Sequence, residues 1–390
     1  MEPLKPKLLI FINTLEKGGA ERVVSLLLQN LNNDFELHLA LFTDIIEYSI
    51  PPQIKILNLH QPLKQNYFIR LFTTIGLSYK IFKYCKLNSI ITSVAFLYRA
   101  CFINALLKSI WGYKGKVIMC ERIHQSGLQM EYSRLYKFAT KCLIKFAYNR
   151  ADLILANSYS IENDLKENFN IKTPVKVIYN PIDIDFIEAK IHENISLKLD
   201  SETFYFINVA GFRKQKNHLL LLKSFAMLNN LNCKLILAGS GTLEKATKDF
   251  AEKAGIADKV LFLGPTENPF SIINQCDCFV LSSNSEGFPN VLLEALACGK
   301  PVISTDCNSG PRELLAPSTN FHYQAVNNFE IGEYGILTPV NDVEELAAAM
   351  LKMYKDVELR MQFEEKAKGK AQQFDVDIIK QYFHIAFSTV

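Results

Sequence analysis

Residues 278–304 read CFVLSSNSEGFPNVLLEALACGKPVIS. The apolar run at 278–281 predicts a buried strand, a polar loop with one glycine follows, residues 291–297 repeat apolar side chains at helical spacing, and 301–304 open a second apolar run. Strand, loop, helix and strand in that order make a βαβ unit. Short continuous apolar strands joined by crossover helices belong to parallel sheets covered on both faces. In this reading Glu286 closes the strand, Gly287 permits an unusual backbone beside a ligand, and Pro289 suits an early helical position. The amides of Phe288, Pro289-Asn290 and Val291 would face an anion at the positive end of the helix, with Glu294 aiming a carboxylate at hydroxyls beside it. Either glutamate alone reads as a solvated helix carboxylate; the whole string does not.

The same alternation runs outward from this block in both directions. Strands are predicted at 7–13, 35–42, 54–59, 89–94, 117–120, 152–156 and 175–179, then at 203–210, 234–238, 260–263, 278–281 and 301–304, with helical patterns between them. The fold class is therefore α/β, with two Rossmann-like parallel-sheet domains facing a cleft. Residues 1–185 form the first domain, 186–200 a polar linker, 201–373 the second domain, and 374–390 a terminal helix that crosses back to the first. Ligands of open parallel sheets sit beyond the carboxyl ends of the strands, so the loops there carry the function.

Three of those loops stand out. Residues 16–22, EKGGAER, follow the first strand, and Gly18 and Gly19 let backbone amides approach an anion. A plain tight turn is the competing reading, and the spacing is not the GxGxxG of a dinucleotide site. Residues 208–217, NVAGFRKQKN, place Arg213, Lys214 and Lys216 where a diphosphate would lie, or form a solvated basic loop. His124 follows the strand at 117–120, as a site residue or a structural histidine. Asp183-Ile-Asp185 has the spacing of a metal-binding D-x-D, but it follows Asn180-Pro181 at the domain boundary and reads as a linker or cap.

Composition narrows the class. The chain has 390 residues, 49% hydrophobic and 21% charged, which is globular rather than disordered and fits two domains. Nine cysteines form no zinc pattern and read as buried small hydrophobes of a reducing compartment. The first residues lack the pattern of a signal peptide, and the most apolar stretch, 89–110, carries Arg99 and Lys108. A cytoplasmic protein is expected. Overall charge is +3, yet residues 64–150 hold fifteen Lys and Arg against two Glu, a surplus of thirteen that leaves −10 for the remainder. An anionic partner for the first half follows.

These motifs resemble glycosyltransferase family 4, of the two-Rossmann GT-B architecture. Glu286 and Glu294 are similar to its E-x7-E pair, GGAER at 18–22 to its N-terminal loop, and YNPID at 179–183, SGPREL at 309–314 and YGILTP at 334–339 stand at the expected places. The first half further resembles N-acetylgalactosamine transferases that extend undecaprenyl-diphosphate glycans in bacterial protein N-glycosylation. The resemblance implies a hexosyltransferase that uses a UDP-sugar, retains anomeric configuration, and requires no metal or other cofactor. By position it implies Glu294 on the ribose hydroxyls, Glu286 on the donor sugar, Gly287 to Val291 and Gly18-Gly19 at the donor, Lys216 on the diphosphate, and His124 near the reacting centre. One departure stands out: Ala210 and Gly211 occupy the family's Gly-Arg positions, and Arg213 is expected to supply the missing cation. With no nucleophile or carboxylate pair evident, the leaving phosphate itself would accept the acceptor's proton, supported by Lys216, Arg213 and helix N-termini.

Membrane docking completes the expectation. Arg134, Lys137, Lys141 and Lys145 fall on one helical face, and Tyr67, Phe68, Phe72, Tyr79, Phe82 and Tyr84 interleave with Arg70, Lys80 and Lys83 on another helix. Basic-aromatic helices of this kind lie in an anionic membrane surface, where a polyprenyl-diphosphate-linked glycan acceptor would be met, at the inner face of the cytoplasmic membrane. No nucleic-acid motif accompanies the charge, so nucleic acid is not an expected partner. The alternatives are a lipopolysaccharide or capsule transferase with another sugar, a UDP-sugar 2-epimerase, and a non-enzymatic sugar-binding protein.

Overall fold

The computed structural model describes residues 5–61, 67–128, 133–193 and 197–388; the side chains of 67–72, 128 and 135, and so the expected roles of Tyr67, Phe68, Arg70 and Phe72, lie outside the described ones. The chain divides into two compact units, Met1–Pro181 together with Val376–Val390, and Ile182–Asp375.

In the first unit the strands are β1 (Lys7–Ile12), β2 (Glu36–Leu41), β3 (Lys55–Asn58), β4 (Thr92–Phe96), β5 (Lys116–Glu121), β6 (Leu153–Ala156) and β7 (Val175–Val177). They form one parallel sheet in the order β3-β2-β1-β4-β5-β6-β7, with Ile10 in register with Leu39 on one side and Val94 on the other. Successive side chains alternate between faces, and both faces are buried, which is why the strands are apolar throughout. Leu9 and Phe11 share a core with residues of α2 (Tyr67–Leu87), α3 (Tyr98–Ser109), α5 (Arg134–Tyr148) and α6 (Tyr159–Glu167), while the short α4 (Gln125–Leu128) touches α6. Leu8, Ile10 and Ile12 face α1 (Gly19–Asn30) on the other side.

The second unit holds β8 (Phe204–Val209), β9 (Cys233–Ala238), β10 (Val260–Gly264), β11 (Cys278–Leu281), β12 (Val302–Thr305), β13 (Glu330–Ile331) and β14 (Ile336–Thr338). Their order is β10-β9-β8-β11-β12-β14-β13, parallel except for β13, which runs antiparallel to β14 at the edge. Its helices are α7 (Ile184–Ile191), α8 (His218–Ala226), α9 (Glu244–Lys253), α10 (Pro269–Gln275), α11 (Asn290–Ala297), α12 (Pro311–Leu315), α13 (Val343–Lys355) and α14 (Val357–Gln372). The last helix, α15 (Val376–Ser388), belongs to the first unit, where Ile379, Phe383 and Phe387 join the core on the α1 face.

Several details differ from the sequence reading. The stretch expected as a linker begins with α7, capped by Asp183, whose carboxylate accepts the Phe186 N–H at 2.8 Å. Its buried Ile187 and Ile191 and the Phe186–Phe270 ring contact dock it on α10 within the second unit. The strand placed at 89–94 is shifted to Thr92–Phe96, because Ser89 and Leu97 take positive φ values of 53° and 69° and bracket it. The apolar stretch 89–110 is thus a strand and a helix. β13 and β14 had no strand assigned to them. Eight of the nine cysteines are buried, and Cys142 on α5 is exposed.

Candidate active site

In the second unit, the loops after β8 and β11 lie side by side. Ser282 donates to the Lys216 carbonyl at 2.9 Å, and the Asn284 N–H donates to the Gln215 carbonyl at 2.8 Å. Asn217 adopts the left-handed conformation (φ 47°) and does two things: its side-chain oxygen caps α8 at Leu220, and its amide donates to Asn284 at 2.8 Å. This stitching brings Lys216 and Glu286 together, with Nζ donating to Oε1 at 2.6 Å. Of the two, Glu286 is the more buried, its side chain 8% exposed against 23% for the lysine.

Leu281 ends β11, so Glu286 stands in the loop rather than closing the strand. Pro289 is the N-cap of α11, not its first helical residue; it provides no side-chain cap, and its carbonyl accepts the Leu292 N–H at 3.0 Å to close the first turn. The backbone at Gly287 is held by Ser309, whose hydroxyl donates to its carbonyl. Gly310 has φ 92°, and a Cβ there would lie 3.0 Å from the Phe288 Cα and against Pro289; only glycine fits. Phe288 is buried with its ring 5.7 Å from Phe374. Glu294, one helical turn further into α11, is 7% exposed. Arg213 precedes the turn of Lys216, is exposed, and has no ion pair among the described residues. Lys216 therefore has a fixed carboxylate partner, and Arg213 is free to meet an anion.

After β12, Ser309, Gly310 and Arg312 belong to the SGPREL motif, to which the sequence reading gives no role, and Asp306 lies outside it. Asp306 accepts from Arg312 Nε at 2.9 Å and from the Ala325 N–H at 2.7 Å, and Arg312 reaches Glu330 at 2.9 Å. Burial pushes the Asp306 carboxyl up against the pull of Arg312. This network ties the loop carrying Ser309 and Gly310 to the edge strand β13; only the long-range pairing of three separate segments reveals it.

In the first unit, His124 follows β5 and is nearly buried. The Gly127 N–H donates to its Nδ1 at 3.2 Å, so the ring proton sits on Nε2. Burial lowers its pKa, while Asp164, with Oδ2 3.7 Å from Nδ1, opposes the shift. The neutral imidazole is thus the resting form. The preceding Glu121 is buried among Tyr148 (2.6 Å), Gln125 (3.1 Å) and the amides of Arg122 and Ile123, which shape the turn that presents His124. Gly18 is the N-cap of α1 in extended conformation, and an added Cβ would lie 2.9 Å from the Glu21 Cδ. Glu21 thus folds back over the N-cap from the third helical position; a donor anion at Gly18 and Gly19 would meet that carboxylate. The two histidine- and glycine-bearing loops and the Lys216–Glu286 loops each lie at the carboxyl edge of their own sheet.

On the basic helices, α5 presents Arg134, Lys141 and Lys145 with Tyr136 (49% exposed) and Phe138 (68%), while Ile144, Ala147 and Tyr148 are buried. On α2 the expected face is only partly there: Tyr79, Lys80 and Lys83 are exposed, but Tyr84 turns inward to His38 Nδ1 at 2.8 Å and Phe82 stacks on Trp111. Their pull inward is the ordinary burial of aromatic area with a hydrogen bond for the hydroxyl. Among the described residues no helix is long and apolar enough to cross a membrane.

Two Rossmann-like units with these strand-end loops are the architecture of the GT-B glycosyltransferases. The fold is shared with Anabaena HepE in complex with UDP and glucose (TM-score 0.76, 20% identity, 99% of this chain and 100% of that one) and with sucrose-phosphate synthase from Thermosynechococcus elongatus (TM-score 0.79, 16% identity, 98% of each). The Glycosyltransferase Family 4 model matches residues 17–186 and that of Glycosyl transferases group 1 matches 190–370. The chain is 36% identical over 372 residues to the Campylobacter jejuni N-acetylgalactosamine-N,N'-diacetylbacillosaminyl-diphospho-undecaprenol 4-alpha-N-acetylgalactosaminyltransferase, covering 95% of this chain and 96% of that protein. It is 27% identical over 254 residues to the Escherichia coli lipopolysaccharide 1,6-galactosyltransferase (61% and 68%). The chain belongs to glycosyltransferase family 4 and is a glycosyltransferase, which sets aside the epimerase and the sugar-binding protein.

Proposed function

We propose that this glycosyltransferase moves N-acetylgalactosamine from UDP-N-acetylgalactosamine to a polyprenyl-diphosphate-linked saccharide, with retention of anomeric configuration and without a metal. One observation carries the choice of donor and acceptor: the near full-length similarity to the Campylobacter enzyme, whose name states both the sugar and the lipid diphosphate. The 2.6 Å Lys216–Glu286 pair supports the chemistry. Glu286 orients Lys216 and receives a hydroxyl of the donor sugar, and Glu294 takes the ribose hydroxyls. Lys216, Arg213 and the positive end of α11 stabilise the charge that gathers on the departing diphosphate. The sugar C1–O bond to phosphate breaks, the acceptor oxygen bonds to C1 on the same face, and its proton passes to the leaving phosphate oxygen. His124, neutral with its proton on Nε2, donates a hydrogen bond near the reacting centre. Charge supplied by lysine and arginine replaces a metal, so turnover persists in EDTA.

The exposed basic-aromatic face of α5 holds the enzyme to the anionic inner face of the cytoplasmic membrane, where such acceptors reside. Product analysis by NMR tests the reading. An α-linked N-acetylgalactosamine added to the lipid-linked glycan supports it. A β-linkage overturns retention, and transfer of another hexose to a lipopolysaccharide saccharide instead overturns the donor and acceptor.

A further inference from the structure

A cavity of about 1060 Å³ opens in the first unit at the amino ends of the strands, the edge opposite the loops of His124, Gly18 and Gly19. Its lining includes Pro6 before β1, Thr92 at the start of β4, Lys116 at the start of β5 and Leu153 at the start of β6. Sites for drug-sized ligands span roughly 300–1,000 Å³, so the space suffices for one. Nothing in the glycosyltransferase reading uses it.

Its chemistry is two-sided. Phe82, Ile90, Leu153 and Phe387 make an apolar floor, and Lys86, Lys108, Lys114, Lys116 and Lys176 stand around it. Asp152 is the one carboxylate among the lining residues, and it is already engaged by Lys108 and by the Val117 N–H at 2.7 Å. Lys116 donates to the carbonyl of Ala386 at 2.9 Å, while Lys86, Lys114 and Lys176 have no carboxylate partner among the described residues. Burial holds the Lys116 ammonium below its usual pKa; the Asp152 carboxylate opposes that shift, and Lys176 adds a smaller repulsion to it. A bound anion would relieve both the repulsion and the surplus of positive charge. An apolar floor beneath a cationic rim suits a ligand with an alkyl chain and an acidic head, because each part alone satisfies only half of the lining.

We propose that this cavity binds an anionic amphiphile, with its phosphate head on Lys114, Lys116 and Lys176 and its alkyl chain along Phe82, Ile90, Leu153 and Phe387. The site is separate from the catalytic loops and does not depend on which donor or acceptor the enzyme uses.

Trp111 is the sole tryptophan and stacks on Phe82 at 6.3 Å between ring centroids, so its fluorescence reports occupancy of the cavity. The full-length protein is titrated with dodecyl phosphate below its micelle concentration, with dodecyl maltoside and inorganic phosphate as the chain-only and head-only controls. The proposal expects saturable binding of dodecyl phosphate alone, weakened roughly tenfold or more in Lys114→Glu/Lys176→Glu, with turnover on a water-soluble acceptor analogue unchanged in that variant. Quenching by vesicles of brominated phosphatidylglycerol identifies the bilayer as the source of the ligand; quenching by free alkyl phosphate alone identifies a soluble amphiphile. Equal binding of dodecyl maltoside or of inorganic phosphate, affinity indifferent to the two lysine reversals, or no binding at all overturns it.

Discussion

Removing Lys216 and removing Glu286 have unequal consequences, and the structure sets their order. The two charges lie 2.6 Å apart, with 23% of the lysine side chain and 8% of the glutamate side chain exposed. At an effective dielectric constant near 20 their attraction is about 6 kcal/mol before the cost of drying them is subtracted. Breaking a buried pair costs roughly 3–5 kcal/mol because the remaining charge is stranded. The exposure of the lysine lowers that here to about 2–3 kcal/mol. Lys216→Met strands the drier carboxylate and costs more than Glu286→Gln, whose orphaned ammonium reaches water. The double variant strands neither charge and recovers about 1–2 kcal/mol relative to the sum of the single changes. Urea denaturation of all four proteins measures this cycle. Turnover does not follow the same pattern: Lys216→Met loses roughly 10²–10³-fold in kcat through loss of charge stabilisation, and the double variant stays as slow. Stability costs that simply add, or a double variant with restored turnover, would refute the reasoning.

Other outcomes follow from the same geometry. Arg213→Ala weakens UDP binding by about 1 kcal/mol or more and leaves the melting temperature unchanged, because Arg213 is exposed and has no ion pair among the described residues; calorimetric titration with UDP checks it. Gly310→Ala forces a side chain into φ 92° beside Phe288 and costs about 1–3 kcal/mol, with a raised KM for the donor because the Gly287–Pro289 backbone must shift. Burial, with the charge of Lys216 adding to it, pushes the His218 pKa from 6.5 down to about 4. The unfolded chain therefore takes the proton first, and stability present above pH 6.5 is lost as pH falls towards about 4, by roughly 3 kcal/mol in all. Denaturation of His218→Gln across that range shows the slope reduced relative to the parent protein.

Much of this was legible in the sequence because parallel strands buried on both faces are continuous apolar runs. Leu8 to Ile12 and Cys278 to Leu281 have no polar residue to blur them. β14, three residues between Gly335 and Pro339, is too short to carry a pattern, and β13 pairs only at the edge. The helix α7 was hidden behind Asn180-Pro181, whose turn chemistry suggested a linker, although Asp183 three residues before Phe186 is itself a start signal. In the candidate site, Lys216 and Glu286 were each visible as chemistry, but their pairing across 70 residues was not. Glu21 shows the converse. It lies three residues after Gly18, from where its carboxylate folds back over the N-cap, and that local neighbour shares the place that the glycines suggested for an anion. On α2, spacing could not tell an exposed aromatic such as Tyr79 from one that turns to His38 or Trp111, such as Tyr84 or Phe82.

The most direct measurement is UDP release from a panel of UDP-sugars, each with and without membrane-extracted polyprenyl-diphosphate glycans. The account predicts release that requires both UDP-N-acetylgalactosamine and the lipid extract, and that is lost in Lys216→Met. Release from another UDP-sugar onto lipid A core, with none from that pair, would contradict it.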